Sequence, residues 1–208
     1  RLLQTRLPSN TFASYDYDGH GNMIRMPHLP IMQWNSKDQL QATSQQVVNN
    51  GTPETTYYVY DASGQRVRKV TEGQASAWQT PTRRKERIYL GAFEVYREYS
   101  SDGSSITLAR ETLHVMDDQQ RIALVETKTL DTQDPALSTQ HLIRYQLGNH
   151  LGSASLELDN QAQMISYEEY HPYGSTSYKA VQSGVEVSAK RYRYTGKERD
   201  EESGLYYH

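Results

Sequence analysis

Apolar and polar residues alternate with a period of two over much of the chain. Phe93, Val95, Arg97 and Tyr99 share one parity against Glu94, Tyr96 and Glu98, and Ala154, Leu156 and Leu158 oppose Ser155, Glu157 and Asp159. Successive side chains of a strand point to opposite faces, so this period predicts pleated strands rather than helices. Residues 88–90, 122–125, 143–147 and 191–194 read as further strands, and no amphipathic helical stripe emerges.

Between the strands a turn signal repeats. Tyr17-Asp18-Gly19-His20-Gly21-Asn22 and Tyr60-Asp61-Ala62-Ser63-Gly64-Gln65 are the clear copies; weaker ones begin at Trp34-Asn35, Met116-Asp117 and Leu158-Asp159. Each reads as a hairpin in which an incoming strand ends on a ring and Asp or Asn accepts a backbone N–H to open the turn. Gly then takes the left-handed position that closes it, and Asn22 or Gln65 starts the return strand. Asp38, Gln120 and Ala162 stand where glycine would; Ala and Gln are strained at positive φ, so these turns are expected to be looser or of another type. Three longer excursions, at 72–85 with Trp78, at 127–140 with Asp134-Pro135, and at 179–190, are expected to be loops at a sheet rim. The fold class expected is all-β, a string of consecutive antiparallel hairpins with no inter-domain linker.

Composition sharpens this picture. The 208 residues include 17 tyrosines, 2 phenylalanines and no cysteine. Tyrosine carries the packing, which favours half-buried sheet over thick core. A strip so poor in large aliphatics should stack on neighbouring hairpins or curve and present one face to a cavity. Lack of cysteine removes disulfide scaffolds, zinc-thiolate sites and cysteine nucleophiles. A net charge of −3 and a pI near 6.2 give no field for nucleic acid or anionic lipid. No apolar run is long enough for a membrane-spanning helix. The start at Arg1-Leu2-Leu3-Gln4 is neither an initiator Met nor a signal peptide, and Leu205 to His208 read as an interrupted strand, so a stretch of a longer protein is expected.

Motifs with catalytic potential are thin. Gly19-His20-Gly21 lacks the third glycine of a dinucleotide fingerprint, and Pro27 and Pro30 block the helix it would need. Gly196-Lys197-Glu198 lacks a phosphate loop's hydroxyl residue. His150 and His171 sit in turns without metal-ligand spacing, and Gly152-Ser153-Ala154-Ser155 is not a nucleophile elbow. Glu168/Glu169 point to opposite faces and make a poor acid–base dyad, while Asp18 of the Asp16/Asp18 pair is explained by its turn. No catalytic, cofactor-binding or metal-ligating residue is expected.

The turn repeat Tyr-Asp-x-x-Gly-Asn/Gln resembles the YD repeat of the Rhs family. Two longer stretches are similar to the Rhs-associated core and to the segment that follows it, respectively. The first is Tyr145 to Ser153, with Asn149, His150, Leu151, Gly152 and Ser153, followed by Tyr167 to Gly174, with Tyr170, Pro172, Tyr173 and Gly174. The second runs from Arg193 to Asp200 and on through Gly204 to Tyr207, and includes Gly196. Within the family the chain looks most like the C component of bacterial insecticidal toxin complexes and related fused toxins. The resemblance implies a hairpin strip at 1–140 continuous with a core segment at 141–208, wound into a curved strip as part of a hollow β-shell. It implies a non-enzymatic role, enclosing a C-terminal toxin passenger, with the rest of the parent chain and B-type and pore-forming components as partners and secretion from the cell. The family's self-cleaving carboxylates would lie beyond this chain; no cofactor, nucleic acid or membrane insertion is implied. The residues alone also admit a surface module that binds carbohydrate or a receptor through exposed Tyr and Trp78, or a carboxylate-pair hydrolase.

Overall fold

The computed structural model describes residues 1–118, 120–134, 141–181 and 189–208. Two short hairpins come first, β1 (Gln4–Arg6) with β2 (Phe12–Ser14) and β3 (Asp16–Tyr17) with β4 (Met23–Arg25). There follow β5 (Ile31–Trp34), β6 (Leu40–Ser44), β7 (Thr55–Tyr60), β8 (Arg66–Glu72), β9 (Arg83–Leu90), β10 (Phe93–Tyr99), β11 (Ile106–Asp117) and β12 (Gln120–Asp131). The sheet ends with β13 (His141–Gly148), β14 (Ala154–Leu158), β15 (Met164–Tyr170) and β16 (Thr176–Val181). From β5 to β16 these form one 12-stranded sheet whose spatial order is the chain order. The all-β expectation holds; the only helical element among the described residues is a 3-10 turn at Tyr194–Gly196.

Two readings change. Strand β12 runs through Thr127 to Asp131 and β16 reaches Val181, so those excursions are shorter than expected. Pro135, the rest of 135–140, 182–188 and Gln119 lie outside the described residues. Residues 191–194 are not a strand. Tyr192 makes an isolated bridge to Glu198, and the Arg191, Tyr192 and Arg193 side chains reach carboxylates instead of lining a ladder. At the C-terminal end Tyr206 likewise makes only a bridge, to Arg199.

The chain divides into two units, one of Arg1–Tyr89 with Tyr96–Thr107, the other of Leu90–Val95 with Leu108–His208. The first buries Leu29, Met32, Ala42, Tyr58 and Val70 together with Glu86. Glu86 accepts from Arg68 Nε and the Tyr99 hydroxyl, each at 2.7 Å. Arg66 lies between two rings, 5.6 Å from the centroid of Tyr58 and 5.2 Å from that of Tyr89.

Most of the turns share one geometry. At Asp61 the Gly64 amide donates to the Asp61 carbonyl at 3.2 Å and the Asp61 amide donates to the Gln65 carbonyl at 2.9 Å. The same pair of bonds recurs in the turns that start at Leu7, Asp18, Asn35, Asn149, Asp159, His171 and Arg193. This is the three-residue hairpin loop with a left-handed closing residue. Asp38 at φ 58° and Ala162 at φ 60° take the position that Gly64 takes at 86°. The expectation of looser turns there is corrected: flanking strands fix the register and the residue accepts the strained conformation. The Asp117 copy differs, for Asp117 pairs directly with Gln120 and the loop is shorter.

Candidate functional site

The first residue of the turn explains the Asp or Asn of the repeat. Asp61 Oδ1 accepts from the amides of Ser63 and Gln65, both at 2.9 Å. Asp18 Oδ1 accepts from Gly21 and Asn22 at 2.8 Å, Asn149 Oδ1 from Leu151 at 2.9 Å and Ser153 at 3.1 Å, and Asp159 Oδ1 from Gln161 and Gln163 at 2.8 Å. Hydrogen bonds from Ser63 and Gln65 hold the Asp61 carboxyl below its ordinary range. At Asp18 desolvation raises the carboxyl, but the bonds from Asn22 and Gly21 together outweigh it and lower it.

The ring before the turn has a role that pattern reading did not find. Tyr60 OH donates to Leu40 O at 2.8 Å, Trp34 Nε1 to Met23 O at 2.8 Å, and Tyr170 OH to Ala154 O at 2.8 Å. In every case the acceptor lies five residues after the first residue of the previous turn on the same rim. The aromatic therefore ties one hairpin to the hairpin before it. Tyr17 makes a comparable bond to Leu2 O at 2.9 Å. Phenylalanine could fill the space but not donate.

In the second unit the register sorts side chains into two unlike faces. Leu113, Val125 and Ile143 are cross-strand partners on one face, as are Val115, Ala123, Tyr145 and Leu158, and Leu147, Leu156, Tyr167 and Ala180. The opposite face carries Thr112, Glu126 and Leu142; His114, Leu124 and Arg144; and Gln146, Glu157, Ser166 and Val181. The burial is the reverse of the usual rule that ionised side chains face water. Glu157 is 0% exposed and Arg144 2%, while Tyr145 is 45% and Leu147 48% exposed.

Buried charge survives here because every carboxylate is paired. Arg144 donates to Glu126 at 3.0 Å and to Glu157 at 2.7 Å, and Glu157 also accepts from Gln146 at 2.9 Å and Ser166 at 2.6 Å. Burial pushes the Glu157 carboxyl up, but the Arg144 charge and these bonds outweigh it and leave it below its ordinary value. Glu94 accepts from His114 Nε2 at 2.8 Å, Arg191 at 2.7 Å and the Tyr192 hydroxyl. Glu168 accepts from Thr176 at 2.8 Å, Arg193 Nε at 3.2 Å and Tyr170 at 3.1 Å, with Lys190 Nζ at 3.4 Å. There too burial opposes, and the Thr176 bond with the Arg193 and Lys190 charges prevails, lowering the Glu168 carboxyl. Burial raises the Tyr170 phenol, Glu168 adding to the effect.

The core-motif residues gather around this polar face. Ser153 is fully buried and its Oγ accepts from the Thr195 amide at 2.9 Å. Gly174 stands at φ 81° against the Tyr194 ring, where a Cβ would come within 2.8 Å of Cδ1. Tyr194 donates to Pro172 O, Tyr206 OH donates to Gly174 O at 2.9 Å, and the Gly204 amide donates to Asp200 O at 2.7 Å. Gly152 at φ 72° and Gly196 at φ 68° close their turns. His150, Leu151 and Tyr173 are exposed at turn tips, Tyr173 at 95%. The Asp18 and Asp61 turns belong to the first unit, where Asn22 Nδ2 bonds Asp38 Oδ1 at 2.8 Å. That Glu94, Arg144, Glu157 and Arg193 are buried, and that they and Arg191 are paired, could not be read from the sequence, because alternation gives shared faces but not the buried one. Among the described residues no group of three His, Asp or Glu side chains is placed to hold a metal.

No family model matches the chain. It is 34% identical over 198 residues to toxin subunit YenC1 of Yersinia entomophaga, covering 94% of this chain and 19% of that subunit. Against toxin subunit YenC2 of the same organism the identity is 27% over 204 residues, with 98% of this chain and 20% of that one covered. The chain thus spans about a fifth of the length of these curated relatives. The crystal structure of TcdB2-TccC3 superposes with a TM-score of 0.78 at 24% identity, over 98% of this chain and 11% of that one. The Tc holotoxin pore of Photorhabdus luminescens, with a TccC3 variant, gives 0.72 at 24% identity, over 98% and 12%. The fold is shared with those assemblies, and with its repeat turns and core motifs the chain belongs to the Rhs, YD-repeat family of toxin-complex subunits.

Proposed function

We propose that this chain is a stretch of the shell wall of an Rhs-type toxin subunit and that its work is to enclose a C-terminal toxin passenger, not to catalyse. The observation that carries this reading is the reversed sheet of the second unit. Exposed Leu113, Tyr145 and Leu147, continued by the half-buried Ile143, Leu156, Leu158 and Tyr167, make an apolar, aromatic surface of the kind that marks a macromolecular contact. Tyrosine and leucine offer broad contact with little demand for one folded partner, as a wall around a passenger requires. The parent chain, a B-type component and a pore-forming component complete the assembly in this reading, which works outside the bacterium. Residues 141–208 form the core segment, and the self-cleaving carboxylates lie downstream.

Photo-crosslinking decides it. A crosslinker at Tyr145 or Leu147 of the full-length subunit is expected to capture the passenger, and one at Arg110, on the opposite face, is not. Capture from neither face of the assembled subunit would sink the proposal. A second reading, a carbohydrate- or receptor-binding module, draws on Trp78, which stands wholly exposed at φ 68°. Saturable glycan binding lost in Trp78→Ala would favour it.

A further inference from the structure

Beyond β16 the described chain resumes at 189 and runs over the polar face of the second unit. Its hydrogen bonds and ion pairs are many, and its rings add contacts of their own, Tyr192 edge-on to His114 at 4.9 Å and Tyr194 at 6.0 Å from Tyr170. Lys190 donates to Ala154 O, Arg193 O accepts from the Ala154 amide at 3.0 Å, and Thr195 is held by Ser153. Arg191 bridges Glu94 and Glu198, at 2.7 Å each. The fully buried residues of 190–207 are Lys190, Arg193, Glu198, Asp200 and Ser203, all of them polar or charged, while its rings Tyr192, Tyr194, Tyr206 and Tyr207 are partly buried. Apolar burial, the usual force that holds a segment down, comes here from such partly buried groups and is joined by buried charge.

The sheet beneath has its own cohesion. Strands β12 to β16 are joined by continuous ladders, and the Arg144 triad with Glu126 and Glu157 lies wholly within them. Two carboxylates serve the segment instead. Around Glu94 stand His114 of β11, Arg121, and Arg191, Tyr192 and Glu198 of the segment. Arg121 Nε donates to His114 Nδ1 at 2.7 Å, so the ring presents Nε2–H to Glu94 as a neutral donor. Arg191 brings a cation into direct contact with Glu94, at 2.7 Å. Around Glu168 stand Tyr170 of β15, Lys179 opposite it on β16, and Lys190 and Arg193 of the segment; Glu157 acts on Lys190, and Tyr206 on Arg193.

We propose that residues 190–207 form a charge-latched strap, fastened by Arg191 on Glu94 and by Lys190 and Arg193 on Glu168, which lifts off as a unit when those carboxylates lose their charge while the sheet stays paired. Removing one side of a buried pair leaves the other uncompensated, which is why the latch fails all at once. Lifting it bares Glu94 and Glu168 and presents an acidic sheet face. The strap rests on contacts inside the second unit and does not depend on the shell reading.

Hydrogen exchange on the 208-residue chain tests it, with the amides of Thr195 and Ala154 as reporters because each is satisfied across the strap contact. In Glu94→Gln/Glu168→Gln both reporters should exchange roughly tenfold faster or more while the amides bonded within the ladders of β12 to β15 keep their protection. Arg191→Gln/Arg193→Gln makes the same break from the strap side with the sheet untouched, and decides the matter if the first variant does not fold. Unchanged reporters, strap and strands that lose protection together, or failure of both variants to fold would each overturn the proposal.

Discussion

Ala162 holds, at φ 60°, the position that glycine holds in the Asp18 and Asp61 turns. A Cβ in the left-handed region costs about 1–2 kcal/mol, partly offset by glycine's larger loss of freedom on folding. Ala162→Gly should therefore raise stability by about 0.5–1 kcal/mol, read as a higher urea midpoint with unchanged slope. Gly174→Ala works in the opposite sense, since its Cβ would press on the Tyr194 ring. For the tether, Tyr60→Phe removes one hydroxyl bond to Leu40 O and should cost about 0.5–1.5 kcal/mol, and thermal melting will register it. Asp61 and Gly64 were legible in the sequence because a turn is a local affair. The tyrosine tether was not, since its acceptor lies 20 residues back and only the sheet brings it near.

A single strand, β13, shows what alternation can and cannot give. Residues 143–147 read as a strand, and its period of two sets Ile143, Tyr145 and Leu147 apart from Arg144 and Gln146, but nothing local says that the charged set faces inward. That depends on Glu126 and Glu157 arriving from the two flanking strands in the right register. Arg144→Met keeps the volume and strands both carboxylates, so a loss of about 3–5 kcal/mol is expected in chemical denaturation. Replacing Glu126, Arg144 and Glu157 together with apolar residues should cost far less, because no unpaired charge is left behind. Residues 191–194 make the same point from the other side: their period of two is real, yet it serves ion pairs.

For the molecule as a whole, the buried carboxylates set an acid limit. Glu86, Glu157 and Glu168 all lie below their ordinary value of 4.5 when folded. The unfolded chain therefore binds more protons than the native one on the acid side, and stability falls as pH drops. The contribution is complete above 4.5 and is lost progressively below it, through the native values. Denaturation curves from neutral pH to the acid range should show a plateau and then a decline; stability that rose on acidification would contradict the paired-carboxylate account. The all-β strip and its family were legible at this scale from repeats alone. Its division into two units was not, because no change of composition marks the boundary.

The order of strands in the sheet has one last consequence. From β5 to β16 the ladder pairs each strand with its neighbours along the chain. Loop closure is thus short at every step, contact order stays low, and no strand must wait for a distant partner. Such a sheet can lengthen hairpin by hairpin as the polypeptide leaves the ribosome, each new pair templated on the edge already formed.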